Sequence, residues 1–490
     1  MSSQTVASIS ASKPLANPVL GVSTTIGVAG VLLMGVVSWM MLLVNRELAV
    51  GVVIAVSLAA YAGLVFLFLR NVASRQSFVG AIAGVIGGAV SLIFIGSLMT
   101  ERVKVLESVQ SHSSMEILGV QMDRTVVSGT VVYQPGGFTG SGIALGVGVI
   151  VGMIFLGWLA GRLRARNVSY VVKDVDWRAR FAWVVALSYL PLIAVGGLVT
   201  STESGLAVPD SVRTYGSVGI LFPLSLMEDP RIYLEHSHRI FGTFAGLATI
   251  LLVVRMFGAP SRLMPRVMSA ALLFGVVGQG LMGIFRVSEQ SQGLAMLHGV
   301  LAQIVFALAI ATGVVCSKRW EGITPSDDAI AYAKSTRLML MIATVGLGIQ
   351  LVFGAMARHL DSGHAVMSHV GLSFIVVMLV IIAGAKCIRI GKIDREVKGG
   401  AGAIRPYGAM VHGFVMLQFT LGWGALAMTR TGGQGHPELP TSTELAGAPG
   451  IRVGEAIMTT SHHLIGALLL AMVVGALAWS MRIASRPKNG

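Results

Sequence analysis

Residues 232–257 read "IYLEHSHRIFGTFAGLATILLVVRMF". The apolar run over 237–256 has roughly the 20 residues that span a bilayer core. Yet it opens on Glu235, His236, His238 and Arg239. A charge or an unpaired imidazole is costly in hydrocarbon, so ionisable groups at the mouth of a membrane helix point to a site.

The rest of the chain repeats the apolar theme. It is 54% hydrophobic and only 12% charged over 490 residues, about half the charge of an average soluble domain. Twelve runs are long enough to span: about 24–44, 49–69, 79–98, 142–161, 181–200, 237–256, 267–285, 294–315, 338–357, 366–386, 407–428 and 457–480. The fold class is an all-α polytopic membrane protein. The partner implied for its surface is the lipid bilayer.

A net charge of +14 would suit nucleic acid, but the placement of the charge argues against it. With both termini on the cytoplasmic side, inside segments hold 25 of the 36 Lys and Arg. The positive-inside rule then accounts for the basic balance, and no nucleic-acid partner is needed. No basic n-region or cleavage site stands out in 1–23, so the first span reads as retained. Cys316 and Cys387 are the two cysteines, placed by these spans at cytoplasmic helix ends, which argues against a disulfide framework.

The basic stretch "GRLRARNVSYVVKDVDWRAR" (161–180) divides the chain. Before it, 1–165 holds four spans and an outer loop, 100–141, with short strands expected around "TVVSGTVVYQP". After it, eight spans look like a duplicated unit, 176–320 and 335–482. "GGLVTSTESGLAV" (196–208) and "FGAMARHLDSGHAV" (353–366) share a Ser-Gly-x-Ala-Val ending. Gln-x-x-x-Gly recurs at Gln279/Gly283, Gln350/Gly354 and Gln418/Gly422, with both residues on one helix face. Two four-helix bundles related by a pseudo-two-fold axis fit this pattern.

Within each unit the second and fourth spans begin alike: "HRIFG" at His238, "HGVLA" at His298, "HVGLS" at His369 and "HHLIG" at His462. Each has a small residue one turn later, and the charge-based topology puts all four at the outer side. A lone His at a helix start is ordinarily an interfacial or capping residue. Four in register, on neighbouring helices, instead match bis-His ligation of haem, with small residues making room for the macrocycle. That gives two iron sites, His238/His298 and His369/His462. Zinc would call for further Cys, Asp or Glu nearby, and only Glu235 offers itself.

His236 lies about 200° from His238 around the helix, so the two cannot face one cofactor; the repeat selects His238, and likewise His462 over His463. His359 and His364 fall in the short turn after the ninth span. Arg239, Arg286 and Arg358 near the outer mouths are candidates for haem propionates, the alternative being ordinary snorkelling.

"GGLVTSTESGLAVPD" (196–210) with "LFPLSLMEDPRIYLEHSHRIFG" (221–242), "QGLMGIFRVSEQSQGLAMLHGVLAQ" (279–303) and "TTSHHLIGALLLA" (459–471) resemble the haem A synthase family over about 176–482. Residues 1–165 lie outside the resemblance. It implies oxidation of the C8 methyl of haem O to a formyl group, yielding haem A for terminal cytochrome oxidase. The expected location is a bacterial inner membrane, with the haem sites placed near the outer face by the charge-based topology. His238 and His298 would flank the substrate haem O, and His369 and His462 would ligate haem b.

Glu235 matches the family's important acidic residue. It also lies one turn before His238, where a carboxylate could accept or relay protons. A helix-start carboxylate favoured by the dipole is the alternative. A protohaem farnesyltransferase would act upstream and cytochrome oxidase assembly downstream, and a homo-oligomer is compatible with the sequence. Many members carry a cysteine pair in the outer loop after their first span; 201–234 here has none. Two other functions share the four histidines: a di-haem b cytochrome exchanging electrons with quinone, and a haem-binding oxidase-assembly transporter.

Overall fold

The computed structural model describes residues 18–485 apart from 73, 118–119, 166–174, 209–211, 215–216, 259–261, 361, 395–399 and 432–447. At 18, 105–117, 120–133, 430 and 431 only the backbone is described. The chain is an all-α polytopic membrane protein, with twelve helices among the described residues long and apolar enough to cross a bilayer.

The N-terminal module contains α1 (Pro18–Val44), α2 (Val50–Leu69), α3 (Gln76–Ile95) and α4 (Gly140–Ala165). Between α3 and α4 rises an antiparallel ribbon, β1 (Thr100–Ile117) and β2 (Val120–Phe138). The short strands expected here are thus one long hairpin. Next come α5 (Trp177–Ser201), α6 (Pro230–Phe257), α7 (Leu263–Ser288) and α8 (Gln292–Val315). After a one-turn helix, α9 (Lys318–Glu321), follow α10 (Asp327–His359), α11 (Gly363–Ile393), α12 (Arg405–Thr431) and α13 (Val453–Ala484).

Helix ends follow capping groups more than apolarity. Asp176, Asp229, Ser291, Ser326 and Ser362 accept hydrogen bonds from backbone N–H groups in the first turns of α5, α6, α8, α10 and α11. Pro230 follows its cap as the first residue of α6. Helices therefore overrun the apolar runs. One consequence corrects the sequence reading: Cys387 lies buried inside α11, not at a helix end. Cys316 does sit at the end of α8, where burial pushes its thiol up to about 12. Such a thiol is inert at neutral pH.

Apolar side chains gain little by leaving lipid for a helix interface, so close backbone approach carries the packing. In α3 and α4, a Cβ added at Gly80 would stand 2.0 Å from the Gly157 carbonyl oxygen, and one at Gly161 2.4 Å from that of Gln76.

The eight later spans repeat one arrangement. α5 packs on α6 and α8 while α7 bridges those two; α10 packs on α11 and α13 while α12 bridges those two. The two bundles meet through α13 against α8 and α5, and through α10 against α8. The N-terminal module meets the first bundle through α1 on α5 and α3 on α6. Phe94 packs on Phe241 and Phe244 with ring centres 5.4 Å apart in both cases.

Candidate functional site

Four helices begin at the same end of the molecule, and each presents a histidine within its first turns. α6 brings His238 to His298 of α8, with ring centres 6.2 Å apart and planes at 78°. α11 brings His369 to His462 of α13 at 6.2 Å and 81°. The four histidines singled out by the repeat thus meet in two pairs of nearly equal geometry.

The spacing has a chemical meaning. Two imidazoles holding one metal ion from opposite sides, with metal–nitrogen bonds of about 2 Å and ring centres roughly 1 Å further back, have ring centres ~6 Å apart. Among the described residues no group of three or more His, Cys, Asp or Glu could form a closed metal cage. Two imidazoles at this spacing fit an ion whose other ligands come with it, as in haem.

Each ring rests on a glycine of a neighbouring helix. A Cβ added at Gly196, Gly283, Gly354 or Gly422 would stand 3.0, 3.6, 2.9 or 3.1 Å from Cε1 of His238, His298, His369 and His462 respectively. Three of these glycines end the Gln-x-x-x-Gly repeats. The fourth, Gly196 of α5, went unnoticed in the sequence because Leu192 stands where the others have Gln. By contrast, Gly242, one turn after His238 on its own helix, faces Leu192 at 3.8 Å and no ring.

The repeated glutamines also hold the histidine helices. Gln350 Nε2 donates to the His369 carbonyl at 2.6 Å, and the His369 Nδ1–H donates to the Gln350 carbonyl at 2.9 Å. That bond leaves Nε2 of His369 as the nitrogen able to bind a metal and fixes the ring's orientation. Oriented to satisfy its neighbours, the Gln279 amide donates to the His298 carbonyl at 3.2 Å and accepts from Ala302 N–H at 3.1 Å. Gln418 Nε2 stands 3.3 Å from His462 Nε2. Nδ1 of His238 and of His462 are buried without a hydrogen bond of good geometry.

The surroundings of the two pairs differ. One turn before His238, Glu235 is buried, and both carboxylate oxygens are engaged. Oε2 accepts from Val208 N–H at 2.7 Å, and Oε1 accepts from Arg239 Nη2 at 2.7 Å. Arg239 also donates to the Arg213 carbonyl at 2.8 Å and the Val208 carbonyl at 3.4 Å. Arg286 of α7 lies over Gly205, whose added Cβ would be 2.0 Å from Nη2. From there it acts electrostatically on both Glu235 and Glu203.

Arg358, from α10, crosses to the first bundle and pairs with Glu203 and the Thr200 carbonyl. Glu203 adopts φ 56°, the left-handed region that side chains rarely enter. Burial pushes its carboxyl above the usual range, against the pull of Arg358 and Arg286. The three arginines picked from the sequence therefore converge on two carboxylates, Glu235 buried and Glu203 half-buried.

Next to the second pair, the positions matching Glu235 and Arg239 are Val366 and Val370. The nearest carboxylate on α13 is Glu455, two turns before His462 and ion-paired with Arg452 at 2.8 Å.

His236 and His463 turn away from the pairs. His236 Nε2 lies 2.9 Å from Ser97 Oγ of the N-terminal module, and His463 Nδ1 lies 3.3 Å from Gln303 Nε2 of α8. His359 is the last residue of α10 and His364 lies in the first turn of α11, so neither is in the turn itself. His436 falls outside the described residues.

Residues 179–368 match the family model COX15-CtaA, described as cytochrome oxidase assembly protein. The match runs from α5 to the residue before His369, so it includes Glu235, His238 and His298. It leaves out the N-terminal module and, in the second bundle, everything from His369 onward: most of α11 with α12 and α13. No curated protein and no solved structure matches the chain. Residues 179–368 are thus similar to the COX15-CtaA family of cytochrome oxidase assembly proteins, the family of the haem A synthases.

Proposed function

We propose that this protein is a haem A synthase, which oxidises the C8 methyl of haem O to a formyl group. His238 and His298 hold the substrate haem, and His369 and His462 hold a resident haem b. The histidine end of the bundle faces outward across a bacterial inner membrane, an orientation the positive-inside bias supports.

The observation that carries this reading is the asymmetry between two otherwise matching pairs. Only the first has a buried carboxylate one turn from an axial histidine, clamped by a backbone N–H and a guanidinium. A site that only holds haem needs no such group.

When bound, the haems supply the redox chemistry; the chain supplies position and protons. His238 and His298 would hold the substrate haem between α6 and α8. Arg286 offers a cation at its mouth, suited to a propionate. Glu235 takes up a proton released as the methyl is oxidised, and Arg239 holds its side chain in place. Arg239 and Arg358 are already committed to Glu235 and Glu203, so of the three arginines Arg286 is the best placed for a propionate.

The near-identity of the two pairs is what a di-haem electron-transfer cytochrome would also show. Expression in a host that makes haem O but lacks a haem A synthase separates the readings, with extracted haems resolved by chromatography. Haem A, or a hydroxylated precursor, is the expected product. Haem O alone would overturn the enzyme reading in favour of the cytochrome or the transporter.

A further inference from the structure

We infer that the N-terminal module is an intrachain brace: it grips the segment between α5 and α6, and that segment in turn sets the carboxylate of Glu235, with His236 as a positioning residue. Residues 202–229 contain no cysteine, so nothing covalent staples them. Their own regular structure, among the described residues, is a ribbon of two-residue strands and two 3-10 turns. Such a segment stays ordered only if other elements hold it.

The N-terminal module does so at several points. Arg46 Nη1 donates to the carbonyls of Met227 and Glu228, both at 2.8 Å. Thr100 Oγ1 donates to the Leu221 carbonyl at 2.8 Å. Arg102 pairs with Glu228 at 2.9 Å. A Cβ added at Gly96 would stand 2.3 Å from the Ile220 carbonyl oxygen, so only glycine allows that approach.

The far side of the same segment faces the site. Val208 gives its N–H to Glu235 and its carbonyl to Arg239, and Arg213 gives Arg239 a second carbonyl. The ion pair one turn from His238 therefore has its backbone partners on a segment that the N-terminal module holds.

His236 joins the three parts. It is buried, its Nε2 meets Ser97 of the module, and its ring packs on Phe222 of the segment at 6.2 Å. Its Nδ1 has no partner. A half-satisfied imidazole is a poor core residue on stability grounds alone. What it provides is a directional contact between α6, the segment and the module, beside Glu235.

The part of this inference that concerns Glu235 rests on the proposed function; the brace itself does not. The test uses the full chain in lipid nanodiscs and follows hydrogen–deuterium exchange of peptides within 203–229, alongside haem A formation. Arg46→Ala with Thr100→Val removes three hydrogen bonds outside the histidine sites. Exchange in 203–229 is expected to rise about tenfold or more, and haem A formation to fall at unchanged haem content. His236→Leu should do the same. His236→Gln, which can still meet Ser97, should stay closer to wild type.

Unchanged exchange in the double variant would overturn the brace. Raised exchange with full haem A formation would overturn the link to Glu235. If wild type forms no haem A while exchange still responds, the proposed function fails and the brace stands.

Discussion

The two histidine pairs are a natural comparison within one chain. Their ring spacings are equal and their interplanar angles differ by a few degrees. Each ring backs onto a glycine of a neighbouring helix. Yet Glu235 and Arg239 flank His238 where Val366 and Val370 flank His369. Under the proposed function, the repeated arrangement gives both sites one geometry, and the difference beside it separates a site that reacts from one that holds. Substitutions that treat the pairs differently test that division.

The largest effects should come from the ligands themselves. His298→Ala is expected to abolish haem A formation while haem b stays on the second pair, seen in the optical spectrum and in extracted haems. His462→Ala should instead remove haem b. If either variant empties both pairs, they are not independent sites and the comparison fails.

Glu235→Gln comes next. It keeps the shape and loses the proton acceptor, so haem A formation should drop by about 10²- to 10⁴-fold, the usual range for a general base. Haem content should not change. Wild-type rates in this variant would leave Glu235 a structural carboxylate, and the asymmetry would lose its chemical meaning.

Much of this was legible before any coordinates. Hydropathy yields the twelve spans because a bilayer demands length and apolarity from every crossing segment. The four histidines are legible because the duplication repeats them with fixed neighbours. What was hidden depends on contacts distant in sequence. His236 meets Ser97, 139 positions away, and no local pattern joins them. Gly196 backs His238 just as Gly354 backs His369, but Leu192 breaks the repeat that would have revealed it. Glu203 stands among other polar residues in sequence, and only the fold brings Arg358 to it from the other bundle. The sequence suggests only short strands in the long β1–β2 ribbon because its many Ser, Thr and Gly residues interrupt any apolar alternation.

The glycines give a finer contrast between the pairs. Gly354 stands tighter on its ring than Gly283 does, at 2.9 against 3.6 Å for an added Cβ. Gly354→Ala must therefore displace His369, and overpacking of this kind costs about 1–3 kcal/mol. Haem b affinity should fall by about tenfold or more. Gly283→Ala adds an ordinary contact to His298 and should leave haem O binding within about twofold, by the same reasoning. Equal losses in titrations of the two variants would mean that the glycines do not set ring position.

The smallest expected effect bears most directly on how the pairs were built. Gln350 and Leu192 hold equivalent places, four residues before the glycines of α10 and α5. Gln350→Leu would remove the amide bond to the His369 carbonyl but keep its own backbone carbonyl for His369 Nδ1. One such bond is worth about 1 kcal/mol, or roughly fivefold in haem b affinity. A resident cofactor gains from a ring locked in this way; a substrate that must leave as product gains from a looser one. Leu192→Gln should then tighten the first pair and slow release of haem A more than it slows the chemistry, which single-turnover and steady-state rates would separate. If Leu192→Gln left release unchanged while Gln350→Leu weakened haem b, the leucine would be a packing choice and only the carboxylate would distinguish the two sites.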